Sequence, residues 1–309
     1  MLKRGYSPEL STGAIVASGT LGQIIPPSIV LVLLGSVMNV PVGDLFVGAI
    51  IPGFSLFFLY LIFVAIFAWI RPKSAPPMPA EMMARFTGKA KWIKIGKAFV
   101  PPFFLMVAVL GTIFTGIASP TEAAAVGALG ATIMTIAQKK LDLPTLRSVM
   151  KETTLLTSMV FIILIGATAF GLVFRGMGGD HYLSDLILSS DMEPHHFLWI
   201  VMVIVFIAGF FIDFIEICFI IVPVVAPIFI HMGVDLTWLA ILLAVNLQTS
   251  FLTPPFGFAL FYLKGVAPPS VTTNHIYKGI IPFILIQLFV LFLVIEFPWL
   301  ATGLIDWMN

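Results

Sequence analysis

Residues 24–52 read IIPPSIVLVLLGSVMNVPVGDLFVGAIIP, and residues 252–282 read LTPPFGFALFYLKGVAPPSVTTNHIYKGIIP. Both stretches contain a Pro-Pro pair inside an apolar segment, then a polar loop with proline, then Ile-Ile-Pro at the start of another apolar segment. The spacing from the pair to the last proline is 25 residues in the first stretch and 27 in the second. The sequence therefore predicts an internal repeat.

The composition of the 309-residue chain is that of a membrane protein. Hydrophobic residues make up 60% of it, charged residues only 10%, and the mean hydropathy is +1.10. Soluble domains average about 45–50% apolar and about 25% charged residues, so this composition excludes a soluble globular protein and a disordered one. The net charge of +1 offers no basic surface for nucleic acid. The single cysteine, Cys218, excludes an intramolecular disulfide and a cysteine-based zinc site.

Several apolar segments are long enough to be membrane spans, which take about 20 residues as a helix. They cover roughly residues 13–34, 47–70, 99–117, 122–137, 155–174, 197–230, 237–262 and 280–304. They do not alternate polar with apolar residues, so they are predicted to be helices and not barrel strands. The predicted fold class is an all-α polytopic membrane protein in the lipid bilayer.

Charged residues orient these spans, because bases favour the cytoplasmic side. Segment 71–98 carries seven bases against one acid, Glu81, and segment 138–152 carries four more bases. Segment 175–196 has one base, Arg175, and four acids, so it is predicted to lie outside. The bases are Arg71, Lys73, Arg85, Lys89, Lys91, Lys94, Lys97, Lys139, Lys140, Arg147 and Lys151, and the acids are Asp180, Asp185, Asp191 and Glu193. The 71–98 run is either an ordinary solvated loop or a stretch that lies along anionic headgroups.

Counting spans from the cytoplasmic basic segments and the outer acidic segment gives the topology. The count requires segment 197–230 to begin and end outside, and this segment is too long for one span and too short for two. The polar cluster from Asp213 to Glu216 interrupts it, which favours a re-entrant hairpin with a tip that is buried in protein or faces water. The two Pro-Pro segments then cross in opposite directions, and inverted repeats of this kind are typical of secondary transporters.

The Pro-Pro pairs are predicted to break their helices at membrane depth. Proline lacks a backbone donor and disfavours helix at the preceding residue, so the breaks free carbonyl groups that can bind a cation. An isolated pair is more simply read as a kink, but a matched pair in two halves points to a transport site. The candidates for binding an ion or substrate are Gly22, Pro26, Pro27, Ser28, Gly209, Asp213, Thr249, Ser250, Thr253, Pro254 and Gly257, and the sodium candidates among them are Ser28, Asp213 and Thr253.

Other polar residues in apolar surroundings have simpler interpretations. Asp213 and Glu216 are candidate functional charges at the hairpin tip, or they face water there and bind nothing. Glu122 follows Ser119-Pro120-Thr121 and is interpreted as part of a helix start. Asn246 and Gln248 approach the second Pro-Pro pair and are expected to hydrogen-bond the freed backbone. Lys264 and Lys278 flank a predicted cytoplasmic loop as topology anchors.

Several motifs, in this order, closely resemble the large membrane subunit of TRAP (tripartite ATP-independent periplasmic) transporters. They are GYSPELSTGAIVASGTLGQIIPPSIVLVLLG, IASPTEAAAVGALGA, GFFID, NLQTSFLTPPFGFALFYLKGVAP and IIPFILIQLFVLFLVIEFPWLA. The resemblance implies an elevator-type sodium symporter of a bacterial or archaeal inner membrane. It implies Na⁺ as coupling ion, a small membrane subunit, a periplasmic binding protein that delivers an organic acid, and no organic cofactor.

The resemblance also divides the chain. Residues 1–70 correspond to the later part of the first inverted repeat, 71–98 to a basic linker, and 99–309 to the second repeat. Within the second repeat, 99–174 correspond to scaffold helices, 175–196 to an outer segment, 197–230 to the hairpin, 237–262 to the broken helix and 280–304 to the last span.

Two departures from the family pattern matter. Relatives carry a further stretch before Gly5-Tyr6 that includes the first hairpin, so the chain is expected to be truncated, given a wrong start, or completed by another chain. Phe214, Ile215 and Glu216 stand where relatives more often place small or hydroxyl residues.

Two alternative functions stay open at this stage. One is a non-transporting fragment, scaffold or channel. The other is a membrane-embedded metal hydrolase, which is disfavoured because no His-Glu-x-x-His motif is present.

Overall fold

The computed structural model describes residues 1–77, 88–190, 192–255 and 257–308, and within them the chain forms helices and no strand. The helices are α1 (Pro8–Thr20), α2 (Ile29–Met38), α3 (Val42–Gly48), α4 (Ile50–Ile70), α5 (Lys89–Phe114), α6 (Pro120–Ala137), α7 (Leu143–Gly176), α8 (Gly179–Leu188), α9 (Pro194–Ala208), α10 (Phe214–Ile220), α11 (Val222–His231), α12 (Leu236–Leu252), α13 (Phe258–Val266), α14 (Thr273–Glu296) and α15 (Trp299–Met308). Glu81, Arg85 and Asp191, which the topology argument uses, lie outside the described residues.

The helices confirm a polytopic membrane protein. In the described ranges, five segments are long and apolar enough to cross a membrane, or six if α10 and α11, bent by 49° at Ile221, form one span. The five are Val42–Ile70, Lys91–Phe114, Pro120–Ala137, Leu143–Gly176 and Thr273–Glu296. Helices α2, α9 and α12 are apolar but shorter, because breaks in the chain end or begin them.

Local sequence signals explain several helix ends. The start of α6 is a capping box, in which the Glu122 N–H donates to the Ser119 hydroxyl while the Ser119 N–H donates to the Glu122 carboxylate. The interpretation of Glu122 as part of a helix start is therefore confirmed. Helix α12 begins after Asp235, whose carboxylate accepts a hydrogen bond of 2.7 Å from the Trp238 N–H.

The helix ends differ from two of the predicted spans. The predicted last span, 280–304, is two helices, because α14 ends at Glu296 and α15 begins at Trp299. Pro298 disfavours a helical conformation at Phe297, which has φ −124° and ψ 78°. The predicted span 155–174 is the second half of α7, which starts at Leu143 because the basic residues before 155 favour a helix as well as the apolar ones do.

The described chain divides into two compact units. The first comprises residues 1–75 and 160–309, and the second comprises residues 76–159. In the first unit, α12 is the central helix, because every residue from Leu239 to Val245 is fully buried. It packs against α1, α2, α3, α9, α13 and α14. In the second unit, α5 packs against α6.

Candidate functional site

The first Pro-Pro pair lies in a break between two helices. Helix α1 ends at Thr20, a short 3-10 turn covers Leu21–Gln23, and α2 begins only at Ile29. The Pro26-Pro27 peptide bond is cis. Ser28 caps α2, since its hydroxyl donates to the Gln23 carbonyl and accepts from the Leu31 N–H at 3.3 Å. The predicted break in this segment is confirmed.

The second Pro-Pro pair lies in a matching break. Helix α12 ends at Leu252 and α13 begins at Phe258, and the Pro254-Pro255 bond is also cis. The Thr253 hydroxyl donates to the Thr249 carbonyl at 2.7 Å, while the Pro255 carbonyl accepts from the Tyr277 hydroxyl at 2.9 Å. The break predicted here is therefore confirmed as well, with one of its carbonyls already bonded from α14.

The segment predicted to be a hairpin has that shape. Helix α9 leads into a turn at 209–213, and α10 and α11 lead back. The two arms begin and end side by side, because the rings of Phe197 in α9 and Phe229 in α11 have centroids 4.7 Å apart. The turn at 209–213 is called the hairpin tip below.

The hairpin tip touches α12 beside the second break. A Cβ atom at Gly209 would lie 2.1 Å from the Ser250 Oγ and 2.7 Å from its Cβ, so the two residues are in direct contact. The ring of Phe214, just after the tip, lies 5.9 Å from that of Phe251. The Gly257 backbone is also close to α12, because a Cβ there would lie 2.7 Å from the Phe251 carbonyl oxygen.

The acids of the tip have different surroundings. Asp213 precedes α10, and its Oδ1 accepts from the Phe214 N–H at 2.7 Å. A carboxylate has acceptor capacity beyond one such bond, so the Asp213 carboxylate retains sites for a cation. Glu216 lies in the first turn of α10, and its Oε2 is buried with no hydrogen-bond partner among the described residues.

The structure thus brings many of the predicted site residues into one unit around α12. The 3-10 turn of the first break packs against α12, and α2 packs against α10, α11 and α12. The predicted site residues that lie next to one another, at the hairpin tip and the second break, are Gly209, Thr249, Ser250, Thr253, Pro254 and Gly257. Those of the first break are Gly22, Pro26, Pro27 and Ser28.

The expected role of Asn246 and Gln248 is wrong. The Asn246 side chain donates to the Met202 carbonyl of α9 at 2.8 Å, away from the break. Gln248 is fully buried, and neither atom of its amide has a hydrogen-bond partner in the ranges that the structure describes. Gln287 in α14 is fully buried as well, and its side chain interacts with that of Tyr60. Sequence reasoning did not single it out, although it is a lone amide in an apolar span.

The chemistry of this region suits a hard cation, because its polar groups are oxygens. The hydroxyls of Thr249, Ser250 and Thr253 each donate to a backbone carbonyl of α12, at 2.7 to 2.8 Å. A hydroxyl that donates its hydrogen keeps its lone pairs for a cation. Within the described ranges, no three His, Cys, Asp or Glu side chains are grouped to hold a metal ion.

Comparisons with known proteins give the family. Residues 1–300 match the model of the "Tripartite ATP-independent periplasmic transporter, DctM component". The chain is 32% identical to the C4-dicarboxylate TRAP transporter large permease protein DctM of Vibrio cholerae, over 98% of this chain and 70% of that protein. It is 29% identical to the DctM protein of Pseudomonas aeruginosa, over 100% of this chain and 70% of that protein.

A relative named for another substrate is equally well covered. The ectoine TRAP transporter large permease protein TeaC of Halomonas elongata is 28% identical, over 99% of this chain and 70% of that protein. These relatives are inner-membrane transporter permeases and not enzymes. The chain therefore belongs to the tripartite ATP-independent periplasmic transporter family, as a large permease of the DctM type.

Proposed function

We propose that this chain is the membrane-embedded large subunit of a sodium-coupled symporter that imports an organic acid. A small membrane subunit and a periplasmic substrate-binding protein complete the transporter, and the binding protein delivers the substrate. The relatives described above are named as transporters of C4-dicarboxylates and of ectoine, which supports a small carboxylate as the substrate class.

The observation that carries this proposal is the matched pair of helix breaks against one central helix. Both breaks fall at Pro-Pro pairs; the first packs against α12, and the second follows directly after the last residue of α12. Broken helices in corresponding halves are the strongest structural pointer to a transport site, because half-helix ends and unwound carbonyls bind ions there. Sodium is expected to bind oxygens of Ser28 and of Thr253, with the Asp213 carboxylate supplying charge at the tip.

Coupling follows if the ion and the substrate stabilise the same state of a moving unit. In the proposed elevator mechanism, residues 13–70 and 197–304 move, and residues 99–174 act mainly as scaffold. The contact of Gly209 with Ser250 supports a cation-sensitive tip, because an ion bound beside Ser250 would hold the tip against α12. Each ligand then raises the affinity for the other, as reciprocal coupling requires.

Sodium-driven uptake tests the proposal. The chain is reconstituted into proteoliposomes with its small subunit and binding protein, and uptake of a labelled carboxylate is measured with and without a sodium gradient. Uptake that needs the gradient is the expected result. Uptake that persists at the same rate without sodium would contradict the coupling, and no uptake in either condition would support the non-transporting alternative.

A matched pair of variants tests the ligand at the second break. Thr253→Val removes one oxygen at nearly constant volume, so a higher sodium concentration is expected to be needed for half-maximal uptake. Thr132→Val is the control, because Thr132 in α6 makes the same kind of bond, from its hydroxyl to the carbonyl four residues earlier at 2.8 Å. Equal sodium dependence in both variants would remove Thr253 from the site.

A double-mutant cycle tests the tip. Gly209→Ala places a methyl group against the Ser250 side chain and is expected to weaken sodium-dependent uptake. Ser250→Gly removes the atoms that this methyl group meets, so the double variant is expected to recover part of the loss. If the two losses simply add, the tip does not act through its contact with Ser250.

A further inference from the structure

The second compact unit has a strongly basic end. Helices α5 and α6 are antiparallel, because a Cβ at Gly130 would lie 2.3 Å from a methyl of Leu105, and one at Gly127 would lie 3.3 Å from a methyl of Val109. Lys97 lies about two helical turns before Leu105 in α5. Lys139 lies at a similar distance after Gly130, just beyond the end of α6. The start of α5 and the end of α6 therefore lie at the same level.

Five lysines occupy this end, and they are called the basic end below. They are Lys91, Lys94, Lys97, Lys139 and Lys140, and all five are exposed. Among the residues that the structure describes, none of them has a carboxylate within ion-pair distance. The nearest acid in sequence, Asp142, accepts a hydrogen bond of 2.8 Å from the Thr145 N–H. The basic end thus has positive charge without a protein partner in the described part of the chain.

The other end of the same helix pair differs. The connection from α5 to α6 and the first turn of α6 hold no base, and Glu122 lies there. The two ends of one apolar helix pair therefore have opposite charge character. Because bases mark the cytoplasmic side, the basic end is placed at the inner leaflet.

Exposed apolar side chains lie among the lysines. Trp92 is 70% exposed, and the Lys91 Nζ lies 5.9 Å from the centre of its ring. Ile93 and Ile95 are exposed as well. Tryptophan beside lysine at the end of an apolar span is typical of the interface between hydrocarbon and headgroups.

The length of α5 places Trp92 and the lysines of α5 in the headgroup layer of the bilayer. Its 26 residues extend about 39 Å, against about 30 Å of hydrocarbon. Its apolar part begins after Lys97, so the first turns of α5 extend into the layer that contains lipid phosphates. A soluble protein or nucleic acid would have to displace that layer to reach the lysines.

We infer that the basic end binds the phosphate groups of anionic phospholipids of the inner leaflet, with Trp92 in the headgroup layer beside the lysines. The phosphate and the additional negative charge of the headgroup match lysines that have no carboxylate partner. This inference is independent of the proposed transport function, because it concerns the second unit alone.

Lipid binding by the purified protein tests the inference. The full chain in a neutral detergent is titrated with phosphatidylglycerol, and native mass spectrometry counts the lipids that it retains. The triple variant Lys91→Gln, Lys94→Gln, Lys97→Gln is expected to bind roughly 100-fold more weakly, because each lysine near an anionic surface contributes about fivefold. Replacement of the same three lysines by arginine keeps the charge and is expected to keep the binding.

Matched controls separate this site from a general charge effect. Lys3→Gln, Lys73→Gln, Lys278→Gln removes the same charge from exposed positions of the first unit and is expected to weaken binding much less than the variant in α5 does. An equal loss in both triple variants would overturn the inference, as would equal retention of phosphatidylcholine and phosphatidylglycerol by the unsubstituted protein.

Two further measurements, competition by inorganic phosphate and release by salt, show whether the bound phosphate belongs to a lipid. Both use the unsubstituted protein, so they do not depend on the folding of a variant. Inorganic phosphate at the lipid's concentration is expected not to compete, and competition would mean that a soluble anion occupies the site. High salt is expected to release the lipid from the unsubstituted protein, because it screens exposed charges. Salt-independent retention would overturn the inference even if the glutamine variant cannot be purified.

Discussion

The crossing of α1 and α14 is held by two glycines, and Gly13→Ala should disrupt it. A Cβ at Gly13 would lie 2.1 Å from the Gly279 carbonyl oxygen and 2.7 Å from the carbonyl carbon. These are backbone atoms, so no rotamer change relieves the overlap. Since Cβ atoms essentially never come within 3.0 Å of a non-bonded atom of another chain segment, the helices must separate by about 0.9 Å at this point.

The change in the free energy of unfolding that we expect for Gly13→Ala follows from two opposing effects. Overpacking in a well-packed core costs about 1–3 kcal/mol, and contact with backbone on the far side places this site at the upper end. Alanine in place of glycine in a helix gains about 1 kcal/mol. The net expectation for Gly13→Ala is a loss of roughly 2 kcal/mol in the free energy of unfolding.

Gly19→Ala is the matched control. Gly19 lies in the same helix and is exposed, and a Cβ there would meet nothing within 4 Å. Only the gain from the higher helix propensity of alanine applies, so Gly19→Ala is expected to be more stable than the unsubstituted protein by about 0.5–1 kcal/mol. The two variants should therefore differ by roughly 3 kcal/mol.

Unfolding of the purified protein in mixed micelles of increasing denaturing-detergent content measures the difference. Gly279→Ala should resemble Gly13→Ala, because its Cβ would lie 2.2 Å from the Glu9 carbonyl oxygen. The double variant should cost less than the sum, since one separation of the helices accommodates both methyl groups. If Gly13→Ala is as stable as Gly19→Ala, the close crossing is wrong.

Three further predictions use the same unfolding measurement. Gln248→Leu should raise the free energy of unfolding by about 1–3 kcal/mol, because the buried amide has no partner in the described ranges; a loss would show that the amide is satisfied. Trp238→Phe should lower it by about 1 kcal/mol, since the Trp238 Nε1–H donates to the Val294 carbonyl at 2.8 Å, and an unchanged value would contradict this. The hydrogen bonds from Thr145 lower the pKa of Asp142, so the stability that they contribute is present above the carboxyl's ordinary pKa and is lost as the pH falls through the lowered pKa. Asp142→Asn should remove that pH dependence of the free energy of unfolding.

The breaks could be predicted because their cause is local. Proline removes a donor and restricts the residue before it wherever it stands, so the Pro-Pro pairs specify their own positions. The same chemistry at Pro298 ends α14, yet the apolar run continues past it and the predicted span continued with it. Hydrophobicity indicates that a segment lies in the membrane, but it does not indicate whether the segment is one helix or two.

The packing of the site could not be predicted, because its contacts join residues far apart in sequence. Asn246 lies near the break along the chain, but it faces Met202 on α9, 44 residues away. Which face of α12 points to which neighbour depends on how the helices pack around it. The contacts of Gly209 with Ser250 and of Gly13 with Gly279 have the same origin: the sequence indicates small residues and not their partners.

The two breaks resemble each other in sequence but differ in what bonds their oxygens. In the first break, the Ser28 hydroxyl of the same segment donates to the Gln23 carbonyl. In the second, the Pro255 carbonyl accepts from Tyr277, which lies on another helix, α14. A repeat can preserve the position of a break, since that depends on proline alone, while each half places different donors around it. The two breaks therefore present different sets of free oxygens. If sodium binds as proposed above, its affinities at the two breaks are expected to be unequal, although both breaks fall at Pro-Pro pairs.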